Sequence, residues 1–159
     1  MKLSLRPINK SIAEEILKWK YDPPYDFYNN RLSDESLKEL LENNYYTVFN
    51  EGELFGFFCY GKSAQVPIGH QYSVYRDDQV DIGLGLAPIQ TGRGNGKAFL
   101  EFIFHHAIKK FGNKPLRLTV ANFNKRAIHL YEKMGFEKTK ELSNGHTLFF
   151  VMVKNVDCL

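Results

Sequence analysis

The chain has 159 residues, 43% hydrophobic and 25% charged, which fits one folded domain over residues 1–159 and excludes a disordered segment. Its net charge of +3 is too small to imply a nucleic-acid partner, and no apolar run approaches the ~20 residues that span a bilayer. Its two cysteines, Cys59 and Cys158, exclude a disulfide framework, and Met1-Lys2-Leu3-Ser4-Leu5-Arg6 has no signal-peptide core, so a cytoplasmic protein is expected.

Leu3 to Ile8 reads as a strand. Ser11 to Lys20 follows as an amphipathic helix, with Ile12, Ile16, Leu17 and Trp19 on or near its apolar side. The segment from Trp19 to Tyr28 is an aromatic loop fixed by Pro23 and Pro24. Asp34 to Asn43 is a second helix with Ser33 as its N-cap. Tyr45 to Phe49 and Glu53 to Tyr60 form a hairpin across Asn50-Glu51-Gly52. Gln79 to Ala87 is a strand carrying Asp81, Gly83 and Gly85. Ala98 to Phe111 is apolar nearly all round and predicts a deeply packed helix. A strand from Pro115 to Val120, a helix capped by Asn124, and a hairpin of Phe136 to Leu142 with His146 to Val153 complete the chain. The order β-α-α-β-β-β-α-β-α-β-β predicts an α/β (mixed α+β) fold, a mixed sheet with helices on both faces.

Pro88-Ile89-Gln90-Thr91-Gly92-Arg93-Gly94-Asn95-Gly96-Lys97-Ala98 joins the sixth of these elements to the seventh. A glycine-rich turn between a strand and a helix presents bare backbone N–H groups at a helix N-terminus, which suits a pyrophosphate. Two common phosphate loops do not match. A Walker A loop needs Ser or Thr after Gly96-Lys97, where Ala98 stands, and its first glycine would fall on Thr91. A dinucleotide fingerprint fails because Gly83-Leu84-Gly85-Leu86-Ala87-Pro88 ends in proline and Gly94-Asn95-Gly96-Lys97-Ala98-Phe99 in phenylalanine. Neither cysteine has His or Cys at metal-like spacing, and the five histidines form no His-Glu-x-x-His pattern, so no metal is expected.

Thr91-Gly92-Arg93-Gly94-Asn95-Gly96 resembles the acyl-CoA loop of the GNAT N-acetyltransferase superfamily, Gln/Arg-x-x-Gly-x-Gly/Ala, departing from it at Thr91. Asn124-Lys125-Arg126-Ala127-Ile128-His129-Leu130-Tyr131-Glu132-Lys133-Met134-Gly135-Phe136 resembles the family signature Asn-x-x-Ala-x-x-x-Tyr-x-x-x-Gly-Phe at every named position. The resemblance implies a mostly antiparallel twisted sheet of about seven strands with helices on both faces. It implies acetyl-CoA as cosubstrate, with no metal, and direct transfer to a primary amine. Thr91, Gly92, Arg93, Gly94, Asn95, Gly96 and Lys97 would hold the pyrophosphate, with Asn124 and Tyr131 also at the cofactor. Leu84, Gly85 and Leu86 would pair with the pantetheine arm where their strand splays from its neighbour.

Acyl transfer to an ammonium needs a base, oxyanion donors and an acid for the leaving sulfur. Tyr131 is the candidate acid. Asp81, the carboxylate inside the central strand, is the candidate base; His70 and Glu53 are alternatives, and Asp77, Asp78 and Asp81 also read as a polar strand start. Trp19, Tyr25, Asp26 and Tyr28, with Asp22, form the candidate acceptor site, where aromatic faces and carboxylates suit a cationic amine. The acceptor is expected to be a small-molecule or peptide amine, with no nucleic acid and no membrane partner; a homodimer is compatible with the sequence. Two other classes compete. One is an acyl-CoA-binding sensor without turnover. The other is an RNA-binding module, from the aromatic run Leu54-Phe55-Gly56-Phe57-Phe58-Cys59-Tyr60.

Overall fold

A computed structural model describes residues 1–75 and 78–155; Asp77 and Cys158 lie outside them. The elements are β1 (Leu3–Arg6), α1 (Lys10–Leu17), α2 (Asp34–Glu42), β2 (Tyr46–Asn50), β3 (Glu53–Tyr60), β4 (Val80–Leu86), α3 (Gly96–Phe111), β5 (Leu116–Ala121), α4 (Lys125–Lys133), β6 (Glu137–Ser143) and β7 (Leu148–Lys154). Their order is the one expected from the sequence. The seven strands form one open mixed sheet in the order β1-β2-β3-β4-β5-β7-β6. The β1–β2, β2–β3, β5–β7 and β6–β7 pairs are antiparallel and β4–β5 is parallel. Short 3-10 turns at Tyr25–Tyr28, Gly61–Ala64, Pro67–His70 and Pro88–Gln90 were not expected.

The chain divides into two compact units, Met1–Cys59 with Leu84–Phe99, and Tyr60–Gly83 with Leu100–Leu159. In the first unit, Ala13, Ile16, Leu17, Leu40, Phe49 and Leu54 form the core, joined by Trp19, Tyr45 and Phe57. Helix α1 begins one residue earlier than Ser11 because Asn9 caps it, its Oδ1 accepting from the Ile12 N–H at 2.9 Å. It also ends earlier. The N–H groups of Lys18 and Trp19 turn back to Glu14, Glu15 and Ile16, so Trp19 leaves the helix and joins the following loop. Helix α2 has Ser33 as its N-cap, as expected, with Oγ accepting from the Ser36 N–H at 3.1 Å. Strand β3 keeps the expected bounds, Glu53–Tyr60, but Phe55 and Phe58 are fully buried. Base stacking needs exposed ring faces, so these two aromatics serve packing and not RNA.

In the second unit, Val74, Ala121, Leu142, Phe149 and Val151 form the core, with Val66, Ile68, Tyr75 and Phe123 packed against it. Strand β7 is the centre of the β5–β7–β6 ladder, with β5 paired from Leu116↔Lys154 to Ala121↔Phe149. The β4–β5 ladder is much shorter. Its register pairs are Val80↔Leu116 and Asp81↔Arg117.

Candidate active site

The glycine loop belongs to the first unit and is built to leave its amides open. Gly92 and Gly94 have φ of 70° and 77°, a left-handed backbone that glycine adopts at no steric cost. Internal bonds brace the loop from beneath. The Thr91 hydroxyl donates to the Pro88 carbonyl at 2.7 Å. The Asn95 amide donates to the Gln90 carbonyl at 3.1 Å and to Gln90 Oε1 at 2.9 Å. Phe99 makes the first intrahelical bond of α3, to the Asn95 carbonyl at 3.1 Å. The N–H groups of Gly96, Lys97 and Ala98 therefore fall in the first turn, where no carbonyl precedes them. Arg93 and Lys97 are exposed beside these amides. A Cβ built on Gly94 meets nothing within 4 Å, so the space over the loop is open. Two side chains named as cofactor contacts, Thr91 and Asn95, thus turn inward and shape the loop. Gln90, which the motif did not single out, completes that brace.

Leu84, Gly85 and Leu86 end β4 in the same unit. The bareness of Gly85 has a packing reason: a Cβ there would come within 2.3 Å of the Phe57 ring. Gly56 on β3 is bare for the matching reason, since its Cβ would lie 2.7 Å from the Gly85 carbonyl oxygen. The Leu86 carbonyl accepts a hydrogen bond from the Tyr21 hydroxyl at 2.7 Å. Tyr21 carries no motif signal; its partner is 65 residues away.

The second signature segment, in the second unit, folds as a helix capped at both ends. Asn124 Oδ1 accepts from the Ala127 N–H at 3.2 Å. At the other end Gly135 takes φ of 100°. The Phe136 N–H donates to the Tyr131 carbonyl at 2.9 Å and the Gly135 N–H to the Glu132 carbonyl at 3.1 Å. These paired bonds, plus a Phe136–Tyr131 ring contact at 5.8 Å, make a Schellman end. Tyr131, 8% exposed, is therefore oriented by a helix that its own neighbours terminate.

Asp81 does not sit as a general base should. Its residue is 5% exposed and its partner Arg117 2%. Asp81 Oδ1 accepts from Arg117 Nε at 2.6 Å, and Oδ2 accepts from Arg117 Nη2 at 2.9 Å and Gln65 Nε2 at 2.8 Å. Arg117 Nη1 donates to the Val74 carbonyl and to Gln79 Oε1. A base needs a free lone pair facing the ammonium proton. Here a bidentate guanidinium and an amide engage both carboxylate oxygens of a residue that is 5% exposed, so its burial and its ion pair argue against the expected base role. The pair falls on Asp81↔Arg117, the second rung of the β4–β5 ladder. It pins β4 to β5 there, before the strand continues to Leu86. Arg117 was missed because a lone arginine in an apolar strand gives no sequence signal of its partner.

The aromatic loop is split between packing and exposure. Trp19 stacks on Phe57 with centroids 5.9 Å apart and joins the core. Tyr25 is half-buried; Asp22, Asp26, Phe27 and Tyr28 are exposed. Phe27 and Tyr28 pack edge to face at 5.1 Å. Of the expected acceptor residues, Trp19 is thus a wall of the core, while a 3-10 turn carries the half-buried Tyr25 and the exposed Asp26 and Tyr28.

The profile of the Acetyltransferase (GNAT) family matches residues 13–136. The chain belongs to that family. It is an N-acetyltransferase, and enzymes of this family draw the acetyl group from acetyl-CoA. A spermine/spermidine N(1)-acetyltransferase of Bacillus subtilis (strain 168) is 29% identical over 129 residues, covering 76% of this chain and 77% of that protein. Two solved structures share the fold. A spermidine N-acetyltransferase SpeG chimera from Vibrio cholerae and hSSAT has a TM-score of 0.72 at 19% identity, covering 99% of this chain and 98% of that one. AAC(6')-Ib in complex with ribostamycin and coenzyme A has a TM-score of 0.76 at 16% identity, covering 98% and 94%. Among the described residues no helix is long and apolar enough to cross a membrane, and no cluster of three or more His, Cys, Asp or Glu could hold a metal ion.

Proposed function

We propose that the chain, as one domain in the cytoplasm, acetylates a primary amine of a polyamine by direct transfer from acetyl-CoA. The observation that carries the reading is the open amide cradle of Gly92 to Lys97, with Arg93 and Lys97 exposed beside it. Its left-handed glycines, and first-turn N–H groups that precede the first intrahelical bond, fit a pyrophosphate. Bound there, acetyl-CoA supplies an acetyl group activated as a thioester. Leu84, Gly85 and Leu86 offer backbone groups to the pantetheine amides, a reading supported by the short β4–β5 ladder. Asn124, by capping α4, sets the direction of Tyr131. The Tyr131 hydroxyl donates its proton to the leaving sulfur, so that a thiol and not a thiolate departs. Tyr25, Asp26 and Tyr28 hold the amine as its cation before transfer; the ammonium proton leaves to solvent before attack, and the proton shed by the new amide nitrogen returns to the Tyr131 oxygen. The polyamine class rests on the Bacillus relative and on the acidic, aromatic character of this loop.

Calorimetry with acetyl-CoA, and thiol release with spermidine among a panel of amines, test the proposal. Acetyl-CoA at 100 times its Kd should stabilise the fold by about 2.7 kcal/mol. Absence of binding at millimolar acetyl-CoA would end the reading. Turnover of other amines, with spermidine inert, would move the acceptor to a different class.

A further inference from the structure

Tyr21 lies outside both signature segments, yet it is anchored twice. Its backbone N–H donates to Asn29 Oδ1 at 2.7 Å, which closes the aromatic loop on itself. Its hydroxyl donates to the Leu86 carbonyl at 2.7 Å. That end of β4 is held in turn, because the Ala87 N–H donates to the Phe55 carbonyl at 2.9 Å. Two residues before Tyr21, Trp19 stacks on Phe57, whose ring covers the bare Cα of Gly85. The root of the loop therefore reaches β4 at two consecutive residues, through Phe57 at Gly85 and directly at Leu86. Burial pushes the Tyr21 phenol up to about 12. At neutral pH it keeps its proton, and toward a carbonyl it can act only as donor.

We infer that Tyr21 is a positioning residue for the acceptor amine: its hydroxyl ties the loop carrying Tyr25 and Asp26 to the β4 end that receives the thioester arm. The inference rests on the proposed role of Leu84 to Leu86. A carbonyl oxygen has two lone pairs, so the bond from Tyr21 leaves one for an incoming amide. The phosphate cradle is backbone and does not depend on Tyr21. The loop does. Released from Leu86, it would meet the amine with a poorly ordered wall, while acetyl-CoA would still find its amides. A phenylalanine would fill the same space, so only the directional bond distinguishes this role from packing.

The test is steady-state kinetics of Tyr21→Phe, Asn29→Ala and the double variant, with spermidine as acceptor and calorimetry of acetyl-CoA alongside. Loss of one hydrogen bond should raise the KM for spermidine about 5- to 10-fold. The KM and Kd for acetyl-CoA should stay within about twofold, because the cradle is untouched. Asn29→Ala should act in the same direction, and the double variant should fall short of the product, since either break frees one loop. An unchanged spermidine KM in Tyr21→Phe, with only a lower Tm, would overturn the inference in favour of packing. A rise in acetyl-CoA KM alone would overturn it in favour of a role in shaping β4. Wild-type enzyme that binds no acetyl-CoA would instead remove the underlying reading of the site.

Discussion

The glycine loop and the aromatic loop belong to the same compact unit, and they work in opposite ways. From Gly92 to Lys97 the groups proposed to bind are backbone amides, and the side chains of Thr91 and Asn95 brace the loop. From Trp19 to Tyr28 the groups proposed to bind are side chains, and the loop's root is placed by contacts to residues far along the chain. The first kind of site is encoded by which residues are absent, since glycine is needed wherever a Cβ would block the ligand or the backbone turn. The second is encoded by shape complementarity that no local pattern carries. The two loops should therefore fail differently when substituted.

The largest effect is expected in the glycine loop. Gly94→Glu puts a side chain and a negative charge over the amides at a residue with φ of 77°. Calorimetry should find acetyl-CoA binding abolished while the variant stays folded by circular dichroism. Retained binding would mean the cradle lies elsewhere, and the comparison would lose its first term.

Asp81→Asn comes next, as a long-range contact placed in the interior instead of on a loop. It leaves the buried Arg117 charge without its counter-ion, which should destabilise the fold by about 3–5 kcal/mol, read as a lowered denaturation midpoint. In the folded protein the pH profile of kcat/KM should keep its shape. Loss of its acid limb would restore Asp81 as the base.

Tyr131→Phe is an intermediate case, a side chain proposed as the acid and carried on a helix set by local capping. Turnover should fall by up to about 10²-fold with acetyl-CoA affinity kept. An unchanged kcat, with chemistry shown to be rate-limiting, removes Tyr131 from the mechanism.

The smallest effects belong to the aromatic loop. Tyr25→Ala or Asp26→Asn should raise the KM for the amine a few-fold, the size of about 0.5–1 kcal/mol from an exposed cation–π contact or ion pair. The KM for acetyl-CoA should not move. If only the melting temperature changes, this loop is a lid on the core and the acceptor contacts lie in another segment.

Local patterns alone determined the element order, the N-caps at Ser33 and Asn124, the left-handed stop at Gly135 and the glycine cradle. Each depends on residues within about one helical turn or one tight turn of each other, so spacing along the chain is spacing in space. The bounds of α1 slipped because Asn9 caps the helix and starts it at Lys10, ahead of Ser11, and because Trp19 was drawn off the helix to stack on Phe57. Tertiary structure decided the rest. Asp81 reads in sequence as a base inside the central strand, and its ion pair exists only because β5 brings Arg117 to the same rung. The bareness of Gly85 has a reason, the Phe57 ring against it, that only the fold supplies. Tyr21 became an anchor only when the fold carried Leu86 to its hydroxyl. A side chain's role follows from what it faces, and for these residues the facing group arrives from a strand remote in sequence.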